Sequence, residues 1–383
     1  MLQEKAPGLD QAPAGTTEDL PLLGYRNYWY PIVEARRVKR KAVSIRILGE
    51  DIVLFPGKDG KVAALTDRCP HRGVKLCRGR ILFPGTISCG YHGWTFDERG
   101  ECVAALVEGP ESHVPGKVKV KAYPTEIRHG IVWAFLGEGK PPPIEEDLPQ
   151  ELSRPGRSFQ FLFEEWGCDW RNVTENYPDM LHALFVHRNS FEMIFQKIPA
   201  WGRMIVKPLP NGKGISVRGP GAAMQADYPG LGRYPRKAWW RVLTRRTPAG
   251  VGAEVRMPGY IVLPLRREPY FGFPFTGWQW PIPVDENRTR ILEATITYPR
   301  NVLSRFGYRL WWNLYYKWVH RWAFTYQDEN QIEVQNYRSR ETLCSTDVGI
   351  TLWRRLARQS ARPACDQARP GNGHDQREER ESI

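Results

Sequence analysis

A chain of 383 residues that is 41% hydrophobic, with 15 Trp, 16 Tyr and 15 Phe, has enough apolar mass for two packed domains, and disorder is excluded as its default state. A net charge of +13 would suit nucleic acid, but no helix-turn-helix, zinc-finger or aromatic RNA-binding motif accompanies it, so nucleic acid is not an expected partner. No run of 18 apolar residues exists to span a membrane.

Residues 1–24, rich in Ala, Pro, Gly and Thr, read as a flexible arm without the apolar stretch of an export signal, and the expected location is the cytoplasm. Residues 25–140 carry short β-branched and aromatic runs broken by turns. The clearest is VSIRILGEDIVLFPGKDGKVAAL (43–65), and the segment predicts a small all-β domain. GKPPPIEEDLP (139–149) reads as a linker. Residues 141–353 mix helix and strand without βαβ alternation: helical content in DWRNVTENYPDMLHALFVHRNSF (169–191), strand alternation over 255–298, and long helix over 303–337. The class is therefore α+β. Within the late helix, GYRLWWNLYYKWVHRWAF (307–324) is the most apolar stretch. Arg309, Lys317, His320 and Arg321 interrupt it, so it reads as an amphipathic core helix and no membrane contact is expected. Residues 354–383 are polar and poor in aromatics and are expected to be disordered.

Seven cysteines (Cys69, Cys77, Cys89, Cys102, Cys168, Cys344, Cys365) are odd in number and scattered, which favours metal ligation by a subset over a disulfide framework. Four potential ligands fall into two glycine-flanked pairs. RCPHRGVKLC (68–77) holds Cys69 and His71, and SCGYHGW (88–94) holds Cys89 and His92. Two Cys and two His suit a structural zinc or an iron–sulfur cluster. The one-residue gap between Cys69 and His71 is short for zinc, and the pattern better suits two irons, one held by the cysteines and the other by the histidines.

CPHRG…CGYHGW resembles the Rieske [2Fe–2S] signature. Respiratory Rieske proteins add a disulfide between the two loops, whose positions here are Val74 and Tyr91, so the resemblance is to the soluble oxygenase and ferredoxin branch. Cys77 and Cys102 lie off the pattern and read as packing residues.

The chain runs far beyond a Rieske domain, and ENYPDMLHALFVH (175–187) supplies a second set of ligand types. Non-haem iron(II) that activates O2 is typically held by two histidines and one carboxylate, with positions left open. Asp179 and His182 share a helix face, whereas His182 and His187 lie about 140° apart on an ideal helix and can meet one ion only if the helix ends or bulges between them. After a Rieske signature, N-x2-D-x2-H-x4-H resembles the catalytic motif of the Rieske non-haem iron oxygenases. That resemblance spans about residues 25–350. It implies an antiparallel, helix-grip-like catalytic domain, His182 and His187 as iron ligands, Asp179 bridging the two metal centres, and Asn176 near the iron. It also implies a late aspartate as third ligand, for which Asp328 in FTYQDENQIEVQ fits better than Glu329 or Glu333.

No G-x-G-x-x-G follows a strand; GPGAAM and GVGAEV lack the third glycine. Electrons are therefore expected from a separate NAD(P)H-dependent reductase, directly or through a ferredoxin. LGYRNYWYP (23–31) resembles the opening of carbazole-dioxygenase-type and phthalate-oxygenase-type homotrimers, which implies a homotrimer. The expected activity is dioxygenation of a hydrophobic, aromatic substrate with O2 as co-substrate. Monooxygenation and O- or N-demethylation use the same metal sites and stay open. From other classes, a Rieske electron carrier without catalytic iron and a zinc-stabilised binding protein are the competing readings. NSFEMIF (189–195), Trp201 and YFGFPFTGWQW (270–280) are apolar enough to line a pocket and equally suited to a core.

Overall fold

The computed structural model describes residues 20–39, 41–187, 204–218, 227–228, 232–233, 252–266, 273–335 and 341–363. Its first half is built from short antiparallel strands: β1 (Tyr28–Glu34), β2 (Val43–Ile47), β3 (Glu50–Pro56), β4 (Val62–Thr66), β5 (Thr86–Ser88), β6 (Trp94–Asp97), β7 (Cys102–Ala105), β8 (Ala122–Tyr123), β9 (Thr125–Arg128) and β10 (Ile131–Leu136). They form three sheets, in the orders β1-β10-β9, β2-β3-β4-β8 and β5-β6-β7. A small core of Val53, Phe55, Leu65, Leu76, Ile87 and Phe96 encloses Cys69, Cys89 and Cys102. Cys102 is thus a packing residue, and Cys77 lies against the same cluster.

The second half centres on a seven-stranded antiparallel sheet. Its strands are β11 (Ser158–Trp166), β12 (Ile205–Pro208), β13 (Gly214–Arg218), β16 (Gly252–Arg256), β17 (Tyr260–Arg266), β18 (Phe275–Asp285) and β19 (Arg288–Thr297). The order is β11-β19-β18-β17-β16-β13-β12, with a two-stranded ribbon, β14 (Asp227–Tyr228) and β15 (Gly232–Arg233), formed between β13 and β16 in the chain. Helices α1 (Trp170–Asn176), α2 (Val302–Trp311), α3 (Tyr326–Ile332) and α4 (Val348–Ser360) surround it, and a wide π-helical segment, Trp312–Thr325, joins α2 to α3.

Strands β18 and β19 are buried along almost their whole length because both faces of the sheet are covered. Side chains alternate across a strand. Trp280 therefore packs on Trp133 of β10 and Tyr260 of β17, toward the first half. Phe275 meets Leu162, Trp312 and Tyr316, toward the long helix. The segment read as pocket lining is split between two cores by this alternation. Tyr270–Gly272, NSFEMIF and Trp201 lie outside the described residues.

Three boundaries differ from the sequence reading. The arm docks from residue 20: Leu20 is buried, its carbonyl accepts from Arg171, and the Pro21 and Leu22 carbonyls accept from the Trp170 indole at 3.1 and 3.2 Å. The linker is also packed. Asp147 is buried and accepts from the Trp29 backbone N–H at 2.9 Å and from Arg362 at 2.8 Å. The tail expected to be disordered from residue 354 is helical as far as Ser360. Its composition hid this because Arg354, a polar residue by sequence, is fully buried in ion pairs with Glu175 at 2.6 Å and Glu341 at 2.8 Å.

The late helix also departs from expectation. Only one face enters the core, through Tyr308, Trp312 and Tyr316. Its opposite face is exposed and apolar.

Candidate metal centres

Two loops of matching construction hold the first ligand set. In each, a glycine four residues after the cysteine donates its N–H back to the cysteine carbonyl, Gly73 to Cys69 at 2.9 Å and Gly93 to Cys89 at 3.1 Å. In each, the cysteine N–H donates to the carbonyl of the fifth residue on, Val74 or Trp94, at 2.8 Å. Both glycines have φ near +70°, a conformation that side-chain-bearing residues rarely adopt. A Cβ at Gly93 would stand 2.9 Å from the Leu106 side chain.

The loops bring Cys69 and Cys89 together in the interior while the imidazoles of His71 and His92 lie 4.7 Å apart toward the surface. Burial and the neighbouring Cys89 sulfur push the Cys69 thiol up to about 11. His71 stacks on Trp94 at 4.5 Å, which fixes its ring plane. Two buried sulfurs and two outer imidazoles fit a two-iron cluster with cysteines on one iron and histidines on the other.

The second set gathers beside the sheet. Helix α1 ends at Asn176, and a tight turn over Met180–Leu184 carries His182. The tight turn stops at Leu184, between the two histidines, and the N–H groups that follow still donate back four residues, Val186 to the His182 carbonyl at 2.9 Å and His187 to the Ala183 carbonyl at 3.3 Å. His182 Nε2 and His187 Nε2 both face Asp328 Oδ1, at 3.4 and 3.1 Å. Their three ligand atoms lie within 4.8 Å of one another. Donor atoms bound to one ion at about 2.1 Å and at right angles stand about 3 Å apart, so the set fits a single metal ion with positions left open. Burial raises the Asp328 carboxyl, but the two imidazoles facing it outweigh that and hold it at about 2. Neutral imidazoles and a carboxylate are a donor set suited to iron(II).

Each imidazole is aimed from behind. His182 Nδ1 meets the backbone carbonyl of Asp179, and His187 Nδ1 meets Gln327 Oε1 at 3.1 Å. Such contacts fix the tautomer and ring orientation. The sequence reading missed Gln327; its position directly before Asp328 on α3 was the available signal. Asn176 Nδ2 is buried and has no partner among the described residues. Within one chain, no hydrogen bond joins Asp179 to His71 or His92 among the described residues; burial raises the Asp179 carboxyl. Glu329 and Glu333 lie outside the cluster, and Glu333 accepts from the Gly167 N–H at 3.0 Å.

A polar group unsuspected from the sequence lies between sheet and π-helix. Glu164 of β11 pairs with Arg321, and Glu293 of β19 accepts from the Tyr316 hydroxyl at 2.9 Å. Burial and the Glu293 carboxylate push Glu164 up to about 8, against the pull of Arg321.

Residues 28–124 match the Rieske [2Fe-2S] domain family. The chain's fold matches that of the terminal oxygenase of carbazole 1,9a-dioxygenase from Nocardioides aromaticivorans, with a TM-score of 0.75 and 24% identity over 91% of this chain and 98% of that one. The chain thus contains a Rieske [2Fe-2S] domain, and its overall fold is that of this terminal oxygenase. In sequence it is 36% identical over 170 residues to the carbazole 1,9a-dioxygenase terminal oxygenase component of a Sphingomonas species, covering 44% of each. It is 32% identical over 168 residues to the 5,5'-dehydrodivanillate O-demethylase oxygenase subunit of a Sphingobium species, covering 43% of this chain and 39% of that one. The matched segment thus spans less than half the length of these curated relatives. No helix among the described residues is long and apolar enough to cross a membrane.

Proposed function

We propose that this chain is a terminal oxygenase component, cytoplasmic in its setting, that hydroxylates a hydrophobic, aromatic substrate with O2. The convergence of His182, His187 and Asp328 carries the reading, because a Rieske electron carrier has no use for a second ligand set. When bound, the cluster supplies one-electron transfer and iron(II) supplies O2 activation. The chain's residues supply the rest. Cys69, His71, Cys89 and His92 hold the cluster with its histidine edge outward. The Asp179 carbonyl and Gln327 orient the two imidazoles, and three protein ligands leave positions vacant for O2. Asn176, six residues before His182, carries a buried amide donor with no partner among the described residues.

The resemblance to homotrimeric oxygenases supports an assembly in which the Asp179 carboxylate receives a cluster histidine from a neighbouring subunit, since among the described residues of its own chain no hydrogen bond joins it to His71 or His92. Solved neighbours include complexes described as oxygenase and ferredoxin, which supports a ferredoxin as electron donor, fed by a reductase. A demethylase reading is favoured by one observation, the O-demethylase subunit among the relatives; it uses the same residues.

The deciding experiment is metal analysis with a ligand variant. The oxygenase should hold about three irons per chain and the carrier about two. His182→Ala should lose the third iron and all product formation from aromatic substrates with a surrogate reductase, while the visible Rieske spectrum stays intact. A folded His182→Ala protein that loses the visible spectrum along with activity overturns the assignment of two separate sites.

A further inference from the structure

Helix α2, the π-helical segment and α3 run on as one rod from Val302 to Ile332, roughly 40 Å long. A helix at the surface of a globular protein ordinarily turns its polar side to water. Here the outer side is a seam at four-residue spacing: Phe306, Leu310, Leu314, Trp318, Trp322 and Tyr326, exposed by 48–76%. Val302 and Leu303 extend it at one end, each 81% exposed. A contiguous patch of this kind exceeds what a soluble surface normally leaves open and marks something that covers it.

The charge beside the seam says what covers it. From residue 302 to 327 there is no Asp or Glu, whereas Arg305, Arg309, Lys317 and Arg321 are all basic. Arg321 turns inward to Glu164. Arg305 and Arg309 are exposed, and the Lys317 ammonium lies 5.5 Å from the Trp318 ring centre. Exposed Trp and Tyr interleaved with Arg and Lys, with no acid among them, are the composition of a helix lying in a lipid interface. A second copy of this chain would bring the same cations face to face on a molecule already carrying +13, which disfavours a symmetric dimer through this face.

We propose that the α2–α3 rod is a peripheral membrane-binding surface, which seats its Phe, Leu and Trp seam in the interface of an anionic bilayer and its basic residues among the lipid phosphates. No spanning helix is needed for this, so the sequence expectation of no membrane contact gives way to contact along one face. The seam ends at Tyr326, and Asp328, two residues further along the same rod, belongs to the candidate iron site. Resting on the oxygenase reading, this places the site beside the bilayer, where an apolar substrate is most concentrated.

The test is sedimentation of the full-length metal-loaded protein with vesicles of phosphatidylcholine alone or with one-third phosphatidylglycerol. The protein should pellet with the anionic vesicles, less so as salt is raised, with a blue shift of tryptophan emission. Leu314→Glu/Trp318→Glu/Trp322→Glu should abolish pelleting with the Rieske visible spectrum unchanged. Arg305→Glu/Arg309→Glu, which disturbs no buried group, should weaken it about ten-fold. Wild-type protein that stays in the supernatant with anionic vesicles overturns the proposal, as it would if the seam were covered by this chain's own residues. So does a concentration-dependent oligomer, formed without lipid, that the triple variant dissociates. Loss of vesicle binding with wild-type turnover on a water-soluble aromatic would leave the oxygenase reading standing, and vesicle binding without turnover would leave the membrane surface standing.

Discussion

Gln327 and Asp328 are neighbours in sequence with different tasks. Asp328 is buried and offers its carboxylate to both imidazoles, while Gln327 reaches back to the far nitrogen of His187. Removing an orienting partner of this kind typically weakens metal binding by about 10- to 100-fold. Gln327→Leu should therefore raise the dissociation constant for the mononuclear iron by about that factor in an Fe(II) titration, with cluster absorbance unchanged. Gln327→Glu, which keeps an acceptor at the same reach, should restore most of the affinity. Equal iron affinity in the Leu variant and the parent would assign Gln327 to packing alone. The sequence named Asp328 through resemblance, but no sequence pattern distinguishes an amide that orients a ligand from one on a solvated helix face. Only the approach of α3 to the His187 turn decides it.

At the scale of elements, the sheet and the long helix meet through a mismatch. Strands β11 and β19 each place a glutamate on the face that the π-helical segment covers. Glu164 is pushed up to about 8 by burial and by Glu293, so folding tightens its hold on a proton relative to the ordinary value near 4.5. Between those two values the native state binds more protons than the unfolded chain, and this group's effect on stability becomes less favourable as pH rises. Glu164→Gln removes the titration. The variant should gain stability relative to the parent between pH 5 and 8, on the order of 2–4 kcal/mol, read as the pH-dependent difference in Tm or denaturation midpoint. Parallel curves for variant and parent would mean that Glu164 does not titrate there. The helix itself was legible as a periodic apolar run. Its outward-facing apolar seam was not, because periodicity shows that a face exists and leaves open what covers it.

Across the whole molecule, charge and metal are unevenly spread. Residues 25–140 hold 20 Lys and Arg against 12 Asp and Glu, eight of the thirteen surplus charges. Arg68, Arg72, Lys75, Arg78 and Arg80 are all exposed around the first ligand loop, though Lys75 is 3.3 Å from Asp51. A basic rim at the outer histidine edge would steer an acidic electron donor toward the cluster. Lys75→Glu/Arg78→Glu should raise the apparent KM for a ferredoxin several-fold and flatten its dependence on ionic strength. Single-turnover product yield from chemically reduced enzyme should stay unchanged. Donor kinetics indifferent to both changes would place the docking surface elsewhere.

What the sequence determined by itself was local. C-x-H and C-x2-H in glycine-closed turns, and D-x2-H-x4-H after a helix, are chemistry written within a few residues, where the backbone alone limits what the ligands can reach. The all-β and α+β halves followed in the same way from residue periodicity. Tertiary structure decided whatever depends on partners distant in the chain. Glu175 and Arg354, 179 positions apart, turn a polar tail into a buried helix. Asp328 and His187, separated by most of the central sheet, become neighbours. A buried ion pair and an exposed one have the same sequence, and a helix face has the same residues whether covered or bare, because burial is a property of the packed chain.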